Sequence, residues 1–196
     1  MTVSSGRGKT VLFKRLLDDL KEKERMIFTT KPEDFGGEAL EYTEENIATL
    51  KTYLTIWLGD RETKLKSNML IILDEAFVLF SDKKNDELAE MINKVLAFNR
   101  AYNLRFFFGL QIQTKSNLGK FNPSLIDTKM VSIPDVKNYL SSLGEIPKRL
   151  LSYHLKRGEF YFFYDNGSAQ VLKYSPEPRV LQELAEREAE KKAKYG

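Results

Sequence analysis

The sequence predicts an α/β protein built around a mainly parallel β-sheet, and three observations carry that expectation. Strand-like and helix-like stretches alternate along the chain as far as Pro147. Two of the strand-like stretches, MLIIL at 69–73 and LRFFF at 104–108, are almost wholly apolar, as strands covered on both faces should be. A Gly-Lys-Thr triplet, Gly8-Lys9-Thr10, opens the first amphipathic run, so a glycine-bearing loop feeds the first helix.

Taken in order, Val11, Leu12, Leu16, Leu17 and Leu20 recur at helical spacing after Gly8. RMIFTT (25–30) reads as a short buried strand. TEENIATLKTYLTIWL follows as a helix with Thr43 as its N-cap, acids in its first turn, and Ile47, Leu50, Leu54, Trp57 and Leu58 on one side. NMLIILDE is the next strand. NDELAEMINKVLAFNRAY is a second amphipathic helix, on Leu88, Met91, Ile92 and Val95. LRFFFGLQ and the weaker KMVSI complete the strands of the core.

Beyond Pro147 the pattern changes. GEFYFFYDNGSAQVLKY is two β-type runs around Asn166-Gly167, a hairpin turn signal because both turn residues need positive φ. PEPRVLQELAEREAEKKAKYG reads as a charged terminal helix with Val180, Leu181 and Leu184 as its apolar contacts. The chain is expected to form one domain over 1–196. A core over 1–146, which holds the motifs described below, precedes a helix and β-hairpin over 147–175 and a terminal helix over 176–196.

Composition excludes several classes of chemistry. With 42% hydrophobic and 30% charged residues the chain has the balance of a globular protein. It contains no cysteine, so disulfide scaffolds, thiol nucleophiles and zinc–thiolate sites are out. One histidine, His154, cannot build a multi-histidine metal site. The longest apolar run, MLIILDEAFVLF, is interrupted by two acids, and no signal-peptide pattern opens the chain. The expectation is a soluble, cytoplasmic protein. Net charge is +3, but Arg100 to Glu159 holds ten Lys/Arg against four Asp/Glu, the distribution of a surface that faces a polyanion.

Two motifs carry chemistry. At Ser5-Gly6-Arg7-Gly8-Lys9-Thr10 the bare N–H groups of the helix start suit phosphate oxygens, with Gly6, Arg7 and Gly8 forming the loop. Lys9 is placed to reach the β- and γ-phosphates of ATP, and the Thr10 hydroxyl to ligate Mg²⁺. The usual pattern puts a glycine five positions before Gly8, where this chain has Val3. In MLIILDE, Asp74 ends a buried strand and suits a Mg²⁺-bound water, and Glu75 suits the activation of an attacking water. Burying adjacent carboxylates without a cation or donors costs several kcal/mol, roughly, so a purely structural pair is a poor account. Together the motifs read as a P-loop ATPase.

The segment AFNRAYNLRFFFGLQIQT sets an arginine ahead of an apolar strand that ends in glutamine. With the Asp-Glu strand, it resembles the FtsK–HerA superfamily of P-loop motors over roughly Ser5 to Tyr164. The resemblance implies a RecA/FtsK-like fold and an ATPase coupled to movement of double-stranded DNA. It implies a homo-oligomeric, hexameric ring, with a capsid or portal protein as a further partner. By the same resemblance Gln111 senses the γ-phosphate, with Gln113 as the alternative. Arg100 is offered to the neighbouring subunit's ATP, with Arg105 as the competing candidate. The small size is most similar to viral genome-packaging ATPases. The zonula occludens toxin-like phage assembly ATPases share the same motifs, and a non-hydrolysing nucleotide-binding assembly factor is the rival from another class. Lys115 and Lys120, in the polar loop IQTKSNLGKFNPSL, are the candidates for contact with DNA phosphates.

A final expectation concerns the first strand. Met1–Val3 leaves at most three residues before Ser4, against the five or six, roughly, of an average strand. The first strand is therefore expected to be truncated, the recorded start lying downstream of the natural one. A gap or stub is expected between the Asp74 strand and the Gln111 strand.

Overall fold

A computed structural model of the chain describes residues 2–3, 9–20, 24–59, 69–98, 104–109, 118–126, 129–132, 155–156, 159–163 and 168–173. The elements run β1 (Thr2–Val3), α1 (Lys9–Asp19), β2 (Glu24–Thr29), β3 (Leu40–Glu41), α2 (Glu44–Gly59), β4 (Met69–Leu73), α3 (Phe77–Ser81), α4 (Asp86–Ala97), β5 (Arg105–Phe108), β6 (Lys129–Ser132), β7 (Glu159–Phe163) and β8 (Ala169–Lys173). Strands β3-β2-β4-β5 form one wholly parallel sheet. In the other, β1 and β6 are parallel while β6, β7 and β8 are antiparallel neighbours.

The alternation of side chains along the strands builds three layers. Ile71 and Leu73 of β4, Phe28 of β2 and Phe108 of β5 share one core with Leu50, Leu54 and Trp57 of α2 and Leu88, Ile92 and Val95 of α4. Leu70 and Ile72, one residue out of phase, share the opposite core with Ile27 and with Leu12, Phe13 and Leu17 of α1. Phe160 of β7 belongs to that second core, so α1 covers strands of both sheets. Because β4 is wanted by both layers, Leu70 through Leu73 are all fully buried, which is why the segment had to be apolar at every position.

α2 starts as its sequence dictates. The Thr43 hydroxyl accepts from the Asn46 N–H at 3.2 Å, and Glu44 and Glu45 occupy the first turn, where the helix dipole favours negative charge. The β7–β8 pairing, Phe163 opposite Ala169, is the expected hairpin, although Asn166-Gly167 lies outside the described residues. So does the expected terminal helix over 176–196.

Two expectations need correction or refinement. First, no gap or stub separates the Asp74 strand from the strand that precedes Gln111. β4 and β5 pair directly, from Leu70 opposite Arg105 to Leu73 opposite Phe108, so the edge of β4 is already satisfied. The two-residue β1 instead pairs with β6, Thr2 opposite Val131 and Val3 opposite Ser132. Second, β6 belongs with β1 and the hairpin rather than with the four-stranded parallel sheet. AFVLF after the two acids, unassigned from the sequence, forms the short helix α3 (Phe77–Ser81), burying Leu79 and Phe80.

Candidate active site

The site is built where β4 runs out. The Asp74 N–H still continues the ladder, donating to the Phe28 carbonyl of β2 at 2.8 Å. The chain then turns through Glu75 and Ala76 into α3. Glu75 has φ 54°, and it is the one non-glycine with positive φ among the described residues. Its N–H donates to Asp74 Oδ1 at 2.9 Å. On the other side Gly109, just past β5, donates to the Leu73 carbonyl at 2.8 Å and accepts from the Ala76 N–H at 2.9 Å. The carboxylate-bearing turn is thus fastened by main-chain bonds to both neighbouring strands.

Both acids are buried, Asp74 at 3% and Glu75 at 9% relative exposure. That is costly for carboxylates, and the structure supplies compensating groups. Lys31, two residues past β2, brings Nζ to 3.7 Å from Glu75 Oε1. Its backbone position is set by the buried Thr29, whose Oγ1 accepts from the Lys31 N–H at 3.1 Å. Tyr42, the residue before the α2 N-cap, donates its hydroxyl to the Asp74 carbonyl at 2.8 Å and lies 3.3 Å from the Phe28 carbonyl. Its ring stacks on Phe28 with centroids 6.0 Å apart. Burial first, and the negative charges of Asp74 and Glu75 next, push the Tyr42 phenol well above its ordinary pKa, so it stays a donor.

Lys9 and Thr10 form the first turn of α1, as the phosphate-loop reading requires. Leu12 and Phe13 directly behind them share a core with Ile72, two residues ahead of Asp74. The helix start and the acidic pair are therefore anchored to the same strand. Gly6, Arg7 and Gly8 lie outside the described residues, as do Arg100, Gln111, Gln113 and Lys115. Arg105 is described: it sits exposed at the start of β5 opposite Leu70, at the other end of the strand from Asp74.

Lys120 lies in a segment fastened to α4. Its Nζ pairs with Glu90 Oε1 at 3.2 Å, and Asn93 binds the same segment twice, through the Lys120 carbonyl at 2.8 Å and the Asn122 N–H at 2.9 Å. Phe121 beside it stacks on Phe80 at 4.2 Å. Gly119 has φ 49°, and a Cβ there would come 2.6 Å from the Phe80 carbonyl oxygen, so only glycine lets the segment lie this close.

Lys31 and Tyr42 were not singled out in the sequence. Tyr42 did carry a partial signal, since an apolar residue before an N-cap with Ile47 five positions on is the spacing of a hydrophobic staple. Both pack against the α2-side core. Nothing local announced that the hydroxyl would reach Asp74, 32 residues away.

Solved structures place this geometry among known folds. The plasmid pCW3 conjugation coupling protein TcpA, solved as a monomer with ATPγS, superposes with a TM-score of 0.65 at 12% identity, over 88% of this chain and 58% of its own. EccC of Thermomonospora curvata (ATPases 2 and 3, in complex with a signal sequence peptide) gives 0.64 at 12% identity, over 90% of this chain and 36% of its own. B204, the DNA-packaging ATPase of Sulfolobus turreted icosahedral virus, gives 0.58 at 15% identity, over 89% of this chain and 95% of its own. The chain shares the fold of these ATPases. The fold expected from the resemblance to FtsK–HerA motors, α/β around a mainly parallel sheet with a C-terminal hairpin, is the one observed, and residues 4–8 of the loop lie outside the described residues. The chain spans 58% of TcpA and 36% of the EccC chain, and matches B204 over nearly all of it. No family model and no curated protein matches the sequence. Among the described residues no helix is long and apolar enough to cross a membrane.

Proposed function

We propose that this chain is an ATP-hydrolysing motor subunit that moves double-stranded DNA, in the setting of viral genome packaging. The observation that carries the reading is the buried Asp74–Glu75 pair at the end of β4, flush against β5, in a fold shared with P-loop ATPases. The near full-length likeness to a packaging ATPase favours packaging over other uses of the fold.

The residues present fit Mg·ATP. A carboxylate at the end of a buried strand and a hydroxyl in the first turn of α1 are hard oxygen donors, the kind Mg²⁺ takes alongside phosphate. Asp74 and Thr10 would hold the ion, and when bound it would neutralise charge on the transferred phosphate. Gly6, Arg7 and Gly8 cradle phosphate with main-chain N–H groups, and Lys9 binds the β- and γ-phosphates. Glu75 orients and deprotonates the attacking water. Gln111 senses the γ-phosphate, and Arg100 completes the neighbouring subunit's site in a ring. Lys115 and Lys120 contact DNA phosphates.

The test is ATP turnover with and without duplex DNA of unrelated sequences. Hydrolysis stimulated by any duplex, with binding that weakens steeply as salt rises, is the expected result. Nucleotide binding without turnover would favour a non-hydrolysing assembly factor.

A further inference from the structure

The peptide unit between Asp74 and Glu75 is held at both ends. Its carbonyl accepts from the Tyr42 hydroxyl at 2.8 Å, and its N–H donates to Asp74 Oδ1 at 2.9 Å. The plane of that peptide sets the φ of Glu75, which stands at 54°. A residue with a side chain resists this region, so the peptide tends to turn over unless something holds it. The bond to Asp74 Oδ1 comes from the neighbouring residue of the same turn, so it does not tie the peptide to the rest of the fold. Tyr42 is better placed. It is fixed by stacking on Phe28 and by its position immediately before α2.

We infer that Tyr42 is a positioning residue whose hydroxyl locks the Asp74–Glu75 peptide and so holds the two carboxylates in the relative orientation that hydrolysis needs. If the peptide turned over, the Asp74 carbonyl would leave Tyr42 and the Glu75 N–H would leave Oδ1. Glu75 would then relax to negative φ and carry its carboxylate away from its present place beside Lys31. The catalytic consequence rests on the ATPase reading; the lock itself does not.

Tyr42→Phe removes one oxygen and keeps the ring on Phe28, and two readouts on the full chain test it. In amide hydrogen exchange, the Glu75 N–H is expected to exchange at least about tenfold faster in the variant, with Leu50 and Leu54 in α2 unchanged. Equal exchange at Glu75 in the two proteins overturns the lock, and faster exchange throughout α2 overturns it too, as general loosening. In turnover, kcat is expected to fall about tenfold, roughly the worth of one hydrogen bond, with KM for ATP within about twofold. That fall should disappear when Tyr42→Phe is added to Glu75→Gln. A fall that persists undiminished in the double variant overturns action through Glu75. A wild-type chain without ATPase activity overturns the ATPase reading and leaves the exchange readout to decide the lock.

Discussion

Lys31 Nζ stands 3.7 Å from Glu75 Oε1, an exposed ammonium reaching down to a buried carboxylate. With Lys31 more than half exposed, water screens the attraction, and such pairs contribute between nothing and about 1 kcal/mol. Lys31→Ala is therefore expected to change unfolding free energy by less than about 1 kcal/mol in urea titration. A loss of several kcal/mol would mean that the ammonium is the main compensation for burying Glu75.

Glu75→Gln keeps the size and hydrogen-bonding reach of the side chain but removes the base. ATP binding should persist while turnover falls by about 10²–10⁴, the usual worth of general base catalysis. Lys9→Ala should weaken binding and turnover together. Equilibrium binding of a fluorescent ATP analogue beside a steady-state phosphate assay checks both, and full hydrolysis by the glutamine variant would remove Glu75 from the mechanism.

Arg100 is proposed to act on a neighbour's nucleotide. Mixing Arg100→Ala subunits with Glu75→Gln subunits should then restore turnover at interfaces that pair an intact Glu75 with an intact Arg100. Mixed rings, verified by mass, that show no recovery would count against a role in trans.

Tyr42 gives a pH dependence whose sign follows from its surroundings. Burial and two carboxylates hold its proton more tightly in the folded chain than in the unfolded one. Above about pH 10 the unfolded chain releases the phenol proton and the folded chain keeps it, so stability falls as pH rises. Wild type should therefore lose stability relative to Tyr42→Phe as pH rises above about 10, and not below it, in parallel urea titrations. A constant difference would mean that the phenol titrates alike in both states.

Gly119→Ala should lower stability by about 1–3 kcal/mol, because the new Cβ meets the Phe80 carbonyl oxygen and Asp86 Oδ1 in a left-handed conformation. Chemical denaturation measures it. An unchanged midpoint would show that the segment moves aside at no cost.

Much of this was legible in the sequence because it is local. The apolar run at 69–73 announced a strand buried on both faces, and Thr43 with its two following acids announced the start of α2. What escaped depends on long range. An apolar pattern says that a strand is buried but not which strand lies beside it, so the direct pairing of β4 with β5 and the placing of β1 beside β6 were beyond it. AFVLF is too short for its period to separate helix from strand. Tyr42 reaches the Asp74 main-chain carbonyl from 32 residues away in sequence and Lys31 the Glu75 carboxylate from 44, across strand ends, where no spacing rule applies.

Gly109 grips the turn that carries Asp74 and Glu75 from both sides, binding Leu73 before it and Ala76 after it, with main-chain atoms alone. A shift of the turn therefore pulls on Gly109, by a linkage that owes nothing to side chains. Such a linkage asks little of the genetic text: any substitution other than proline that leaves the two strands paired leaves it working. Alanine scanning would pass over it. It is a form of coupling carried by the main chain itself.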